Sequence, residues 1–431
     1  MLLSRYVKHF PEPHDPNRIL LYSTKRGASL LVPASLFSDI ENGTLAPGDR
    51  DTLVRLGFLV PDRAAERREM SDAIAAANRM RRLFGAMVVM NLDCNLACSY
   101  CYEGGMKGKH RLSPETADLL CDLIERDQMA HGRRVELTFY GGEPLLSTEM
   151  IHSISRRLRA AAADHGVDYT FKLVTNGTLL TATVVNRLVP LGLTGAKVTL
   201  DGPQEVHDRY RPFVSGHGSY DTIVANLKEV CNLIKVQVGS NYTEGEYRAF
   251  PRLLDDLIAA GLTPDRLELV RFSPVTKSGG AHTLPEFNDG CSSLDEPWVA
   301  AADLFLRAEI LRRGFHTPRL APAPCMIESP FELVVQYDGT LFKCPAFLGW
   351  PAMAVGDLQT GINDYAASHN LDGWKNDACL DCAYLPLCFG GCRFLKLLRD
   401  GTMNGVDCRK RFLDATLETY VRQDLKRRAR R

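Results

Sequence analysis

Cys94-Asn-Leu-Ala-Cys98-Ser-Tyr-Cys101 follows directly on the apolar run Ala86-Met-Val-Val-Met-Asn-Leu92. The run reads as a strand and the spacing C-x3-C-x2-C as a loop carrying three thiols. Thiolates are soft ligands that select zinc or iron–sulfur clusters. A closed zinc site or a closed 4Fe–4S cluster takes four ligands, and three leave one metal position open to substrate. On spacing alone two readings stand: a zinc knuckle with a distant fourth ligand, and an iron–sulfur cluster with one open iron.

Outward from this loop, strand and helix signals alternate from Ala86 to about Arg271, the pattern of β/α units around a parallel sheet or barrel. Candidate strands are 86–91, 135–140, 169–174, 195–200, 234–239 and 266–271. Ser113-Pro114-Glu115 opens one helix between them, serine as its cap and proline in its first turn. Chemistry in such folds collects where strands end. The second strand ends in Tyr140-Gly141-Gly142-Glu143-Pro144 and the third in Thr175-Asn176-Gly177. The fourth ends in Thr199-Leu200-Asp201-Gly202-Pro203, with His207, Asp208 and Arg211 following.

The cysteine loop, with Tyr100 at its aromatic position, resembles the signature of the radical S-adenosylmethionine (SAM) superfamily. Gly141-Gly142-Glu143 is similar to that family's GGE motif, and the Thr199–Arg211 stretch to a run found in members with a C-terminal cluster domain. The resemblance implies a partial (β/α)6 barrel and a 4Fe–4S cluster on Cys94, Cys98 and Cys101 whose open iron binds SAM. It places Tyr100, Gly141, Gly142, Glu143, Asn176, Thr199 and Arg211 around that cofactor. Arg211 is the candidate for the SAM carboxylate, because guanidinium matches carboxylate bidentately. Arg271 is a lesser candidate. Asp201 and Asp208 read as turn and cap residues, and His207 as structural. Cys121 and Cys231 read as buried, inert thiols.

Cys325, Gly339-Thr-Leu-Phe-Lys-Cys344, Cys379-x2-Cys382-x5-Cys388-x3-Cys392 and Cys408 form a second series. In this order the seven cysteines resemble the SPASM domain, which holds two auxiliary 4Fe–4S clusters. The resemblance implies one cluster on Cys379, Cys382, Cys388 and Cys408, and another on Cys325, Cys344 and Cys392. The second has no evident fourth ligand: either one iron is open, the preferred reading, or Cys291 reaches it.

The ends of the chain carry less chemistry. Arg18–Thr24 and Ala28–Val32 flank Lys25-Arg26-Gly27 as a hairpin would, and short helices open near Pro33 and Pro47. This hairpin-plus-helices module resembles the peptide-recognition domains fused to peptide-modifying enzymes, which take a leader peptide as an added strand; a structural cap is the alternative. The expected organisation is therefore a module at 1–63 and a connector helix at 64–85 with Met70, Ile74, Ala77 and Met80 on one face. A radical SAM core at 86–271, a linker and bridging helix at 272–324 and a SPASM domain at 325–431 complete it.

With 431 residues the chain has room for several domains. Formal net charge is zero, so bulk charge argues for neither nucleic acid nor a membrane surface. Lys426–Arg431 reads as a solvated basic tail. The absence of a secretory h-region and of a run near ~20 apolar residues points to the cytoplasm, where thirteen cysteines suggest metal ligation over disulfides. The whole resembles the geopeptide radical SAM maturases. That implies three 4Fe–4S clusters, SAM, an electron donor such as flavodoxin or ferredoxin, and a ribosomally made precursor peptide gaining a thioether or C–C crosslink. The alternatives are a sulfatase-type maturase that makes formylglycine, a small-molecule oxidoreductase and a non-catalytic zinc-ribbon protein. Sulfatase-type enzymes carry Asp after the second SPASM cysteine, where Cys344 is followed by Pro345. No substrate acid or base is assigned, because Glu103 and Tyr140 both have packing roles available.

Overall fold

The computed structural model describes residues 1–277 and 287–428. Parts of the expected 272–324 linker segment and of the basic tail lie outside the described residues. The chain divides into two compact units: Met1–Met80 with Arg319–Ser329 and Ala366–Arg431, and Arg81–Pro318 with Pro330–Tyr365.

The first unit opens with β1 (Leu2–Leu3), β2 (Val7–Glu12), β3 (Asp15–Ser23) and β4 (Ala28–Pro33), of which the last three form an antiparallel sheet in the order β2-β3-β4. Gly27, at φ 63°, makes the β3–β4 turn. β2 carries no alternation strong enough to flag it beforehand. Helices α1 (Ala34–Asn42) and α2 (Pro47–Arg55) open at the expected prolines, and α1 is closed by left-handed Gly43. β5 (Leu59–Val60) then pairs with β1. In α3 (Arg63–Met80) the buried face is Glu66, Met70 and Ile74. Met80, expected on that face, is 75% exposed; the stripe ends a turn early. Glu66 replaces it because Ser4 Oγ and the Arg5 N–H donate to its carboxylate.

The second unit is built on β6 (Leu83–Val89), β7 (Arg134–Tyr140), β8 (Tyr169–Thr175), β9 (Leu193–Thr199), β10 (Lys235–Tyr242) and β11 (Leu269–Pro274). They lie side by side in chain order, all parallel. Helices α4 (Pro114–Asp127), α5 (Thr148–Asp164), α6 (Ala182–Leu188), α7 (Gln204–Tyr210), α8 (Tyr220–Val230) and α9 (Phe250–Ala259) fill the connections, and α10 (Pro297–Arg312) follows β11. Ser113 caps α4, its Oγ accepting from the Thr116 N–H at 3.1 Å.

The sixth strand starts three residues later than expected. Arg266 is spent on the turn before it, donating to Gly261 O, Lys228 O and Asn232. A seventh parallel strand, β12 (Glu332–Val335), adds beside β6. It opens the Gly339 hairpin with β13 (Thr340–Phe342), and β14 (Gly356–Asp357) and β15 (Gly361–Ile362) continue antiparallel. Alternate residues such as Val88, Leu137, Phe171, Val198, Val238 and Val270 form the core on one sheet face, so the other face is left for chemistry. Among the described residues no helix is long and apolar enough to cross a membrane.

The first unit closes with α11 (Asp377–Leu380), α12 (Leu385–Cys388), α13 (Arg393–Asp400) and α14 (Lys410–Arg428). Tyr6, Met70 and Ile74 pack with Trp374, Leu380, Leu385 and Phe389. The two ends of the chain thus share one core.

Candidate active site

Cys94, Cys98 and Cys101 sit in the loop after β6, each half-buried, whereas Cys121, Cys231 and Cys291 are buried. The loop is fixed from its N-terminal side. Gly142 N–H donates to Asn91 O at 3.0 Å, Glu143 N–H to Asp93 O at 2.8 Å, and Asn91 Nδ2 to Glu143 O at 3.0 Å. Backbone lies on backbone so closely that a Cβ on Gly141 would meet Asn91 O at 2.3 Å, and one on Gly142 would meet Asp93 O at 2.2 Å. The glycines here admit the cysteine loop itself.

Glu143 is wholly buried. Its Oε1 accepts from Leu145 N–H at 3.0 Å and Thr175 Oγ1 at 2.7 Å, and its Oε2 from Asn176 N–H at 2.8 Å. It therefore ties the ends of β7 and β8 together, with its carboxyl held above the usual range by burial against these bonds. Asn176 Nδ2 reaches Asn95 Oδ1 at 2.8 Å and Cys94 Sγ at 3.7 Å. Asn91 and Asn95 escaped the sequence reading because asparagine in a loop is an ordinary turn residue.

Tyr100 stands at the centre of a second group. It hydrogen-bonds Asp201 Oδ2, and its hydroxyl accepts from Arg211 Nη1 at 2.8 Å and Asn241 Nδ2 at 3.1 Å. Tyr210 and Phe287 box the ring. Arg211 pairs with Asp201 at 3.7 Å and keeps a buried Nε with no hydrogen-bond partner. Asp201, read beforehand as a turn residue, also accepts the Asn241 N–H at 2.6 Å. Burial raises its pKa while Arg211 opposes the rise. Thr199 ends β9 level with Gly239 on β10.

His207 is structural. Its Nδ1 accepts the Asp201 N–H at 3.1 Å, and its Nε2 faces Ser219 Oγ at 2.9 Å, which donates to Arg211 O. Burial, with Arg211 adding to it, pushes its pKa down to about 3. The unfolded chain then takes up a proton near pH 6.5 that the folded chain refuses until about pH 3. Stability is full above pH 6.5 and falls by up to about 1.4 kcal/mol per pH unit as pH drops below it. In urea unfolding at pH 7 and pH 5 the difference between wild type and His207→Asn should carry this slope, because the raised Glu103 carboxyl, which works in the opposite direction, is common to both. Asp208 caps α8, accepting Ser219 N–H at 2.8 Å and Tyr220 N–H at 2.9 Å.

The donor chemistry suits a soft cluster. Burial raises the Cys94 thiol and pushes Cys101 up to about 11, with Glu103 adding to the latter, while Lys107 pulls both down. Arg211 feels Cys98. Two cations thus face three thiols that must lose protons to bind metal. Among the described residues no three His, Cys, Asp or Glu side chains converge on the point a single metal ion would occupy. Glu103, 3% exposed and pushed up to about 8 by burial, lies by the Tyr102–Tyr140 hydroxyl pair.

In the first unit, Cys379, Cys382, Cys388 and Cys408 are brought together. Asn376 Oδ1 accepts the Cys379 N–H at 3.0 Å. Gly391, at φ 75°, lets the chain close on Asp407: a Cβ there would meet Asp407 O at 1.9 Å. Cys408 follows at once. Tyr6 OH donates to Leu380 O at 2.8 Å and Thr24 Oγ1 to Ala383 O at 2.6 Å, so the N-terminal strands hold this loop. Cys325 lies near Cys392, their segments joined by the buried Glu328–Arg393 ion pair. Cys344 follows β13 in the second unit. Cys291 is 1% exposed, bridged to Thr276 and beside Tyr242. Its surroundings are those of a packed thiol.

Residues 88–257 match the Radical SAM superfamily. Fe-coproporphyrin III synthase of Methanosarcina barkeri is 30% identical over 39% of this chain, a match spanning 40% of that protein. The cysteine-type anaerobic sulfatase-maturating enzyme of Clostridium novyi is 22% identical over 77% of this chain and 95% of its own length. PqqA peptide cyclase of Rhodopseudomonas palustris is 24% identical over 70% and 79%. The fold resembles anSMEcpe with bound AdoMet, with a TM-score of 0.62 and 16% identity over 79% of this chain and 98% of that one. It also resembles Streptococcus suis SuiB bound to precursor peptide SuiA, with a TM-score of 0.54 and 14% identity over 94% and 98%. The chain carries a radical SAM domain and is related to sulfatase-maturating and peptide-modifying enzymes.

Proposed function

We propose that this chain cleaves SAM reductively and oxidatively modifies a ribosomally made precursor peptide, closing a thioether or carbon–carbon crosslink. The observation that carries the reading is the docking of Gly141-Gly142-Glu143 onto a half-buried three-cysteine loop at the C-terminal end of β6. Cys94, Cys98 and Cys101 would hold a 4Fe–4S cluster, which together with bound SAM would supply the radical chemistry that removes a hydrogen atom from a peptide carbon.

The chain's residues bind and orient. Lys107 and Arg211 offset thiolate charge. Asn176 orients Cys94. Arg211, with Nε unpartnered, is placed to take a carboxylate, and Tyr100 and Asp201 hold it in position. Gly141 and Gly142 shape the wall around SAM by admitting the cysteine loop, Glu143 braces it from behind through its bonds to Thr175 and Asn176, and Thr199 borders it. The later cysteine sets would hold two auxiliary clusters, three in all, with flavodoxin or ferredoxin as electron source. The β2-β3-β4 sheet ends in strands able to take a leader peptide as an added strand.

A sulfatase-type reading is favoured by the length of the Clostridium novyi match and opposed by Pro345, which stands where the expected acid would be. Anaerobic reconstitution with iron, sulfide, SAM and reductant, followed by mass spectrometry of a co-expressed neighbouring peptide, separates them. The proposal expects 5′-deoxyadenosine and a peptide that loses two hydrogen atoms per linkage, with fragments joined. An aldehyde trapped by hydrazide would establish formylglycine instead. Zinc uptake without SAM cleavage would sink both.

A further inference from the structure

The sheet face opposite the helix-packed core carries an unbalanced charge. On β9, Ala196 and Val198 enter the core, and on β11 so do Val270 and Phe272. Lys197 and Arg271 alternate with them and therefore project to the inner face, where both are exposed. On the same face Lys172 of β8 is matched by Glu136 of β7 at 3.0 Å. Among the described residues neither Lys197 nor Arg271 has a carboxylate within ion-pair distance; the Asp303 carboxyl feels Arg271 only at longer range, and none faces Lys197.

Between them stands Gly239. It is level with Arg271 on one side and with Thr199 on the other. A Cβ at Gly239 would lie 2.7 Å from Lys197 Cε and 3.6 Å from its Nζ. The lysine therefore leans across β10, through the space a side chain would fill, towards Arg271. Partial desolvation by the surrounding protein, with the guanidinium adding to it, lowers the Lys197 pKa even though the side chain reaches solvent. Two like charges held across a glycine repel each other, and a carboxylate between them offsets that repulsion.

We propose that Lys197 and Arg271 form a carboxylate-binding subsite for an Asp or Glu side chain of the substrate, close to the residue that reacts. The proposal rests on the peptide-substrate reading above. Arg271 is level with Thr199, at the lower edge of the proposed SAM wall, so the anion is held two residues, ~7 Å, below Asp201 and its partner Arg211. SAM is the other carboxylate source. It has its own guanidinium in Arg211, on the Tyr100 hydroxyl beside the cysteine loop.

The test uses the full chain and two blocked tripeptides, Ac-Gly-Glu-Gly-NH2 and Ac-Gly-Gln-Gly-NH2, with SAM titrated separately. Wild type should bind the Glu peptide about tenfold more tightly than the Gln peptide. Lys197→Met and Arg271→Met should each bring the ratio near one, and Lys197→Arg should keep it, with SAM affinity within about twofold throughout. In the wild type, acetylation of Lys197 followed by peptide mapping should be slowed by the Glu peptide alone, a readout that needs no variant to fold. Equal affinity for the two peptides overturns the proposal. So does loss of SAM binding in the variants without any peptide preference in the wild type, which would assign the cations to the cofactor. Glu preference in a protein that cleaves no SAM would leave the subsite standing and remove the maturase reading.

Discussion

Gly142→Ala is expected to disable the protein by displacing the cysteine loop. The added Cβ would meet Asp93 O at 2.2 Å, Asp93 C at 2.7 Å and Leu92 C at 3.0 Å. All three are backbone atoms, so no rotamer change relieves the clash, and the loop must move. Moving it breaks the Gly142–Asn91 and Glu143–Asp93 hydrogen bonds. Overpacking and two lost bonds together cost on the order of 3 kcal/mol. The chemical loss should be larger, because a displacement of about an ångström at a reacting centre is worth about 100-fold. Gly245→Ala is the control, since a Cβ there meets nothing within 4 Å. Iron content after reconstitution, 5′-deoxyadenosine formation and thermal unfolding should all fall in the first variant and hold in the second. A Gly142→Ala protein with normal iron content and stability would remove the loop-docking argument.

These glycines show how far the sequence carries. Gly141-Gly142-Glu143 was legible as a motif beside a strand, but its partner was not. The resemblance places the glycines around the cofactor; what the fold adds is that they admit Asn91 and Asp93 of the cysteine loop. Strand positions were legible because Val, Phe and Leu recur at period two between helices, and all six predicted strands formed. β12 joining that sheet was not, since a short strand more than fifty residues past β11 carries no local sign of its partner. Arg211 was legible as a cation near the site. Its association with Tyr100, Asp201 and Asn241 depends on three strand ends and two loops meeting, which no spacing encodes. Gly391 is similar: only the fold reveals that it must touch Asp407.

Arg211→Met should uncover the cost of that association. Arg211 is 9% exposed, and its partner Asp201 is 1% exposed. Removing one member of a buried pair leaves the other uncompensated, at about 3–5 kcal/mol. The pH dependence identifies the cause. Burial already raises the Asp201 pKa, and Arg211 is the largest influence pulling it down. Without Arg211 the carboxyl rises further, so the folded variant holds a proton that the unfolded chain has released. A raised carboxyl contributes stability that is present below the unfolded pKa near 3.8 and lost as pH climbs through the folded value. The variant should therefore be weakest at pH 7.5 and recover part of its deficit at pH 5.5, opposite in sign to the His207 slope of the wild type. Asp201→Asn in the same background should recover stability at pH 7.5 and flatten the difference, because the amide needs no countercharge. SAM affinity should stay low in both, if Arg211 holds the carboxylate as proposed. A deficit that is independent of pH would mean that Arg211 acts through packing of its stem, and the charge argument would fall. Restored SAM binding in the double variant would place the carboxylate contact on another residue.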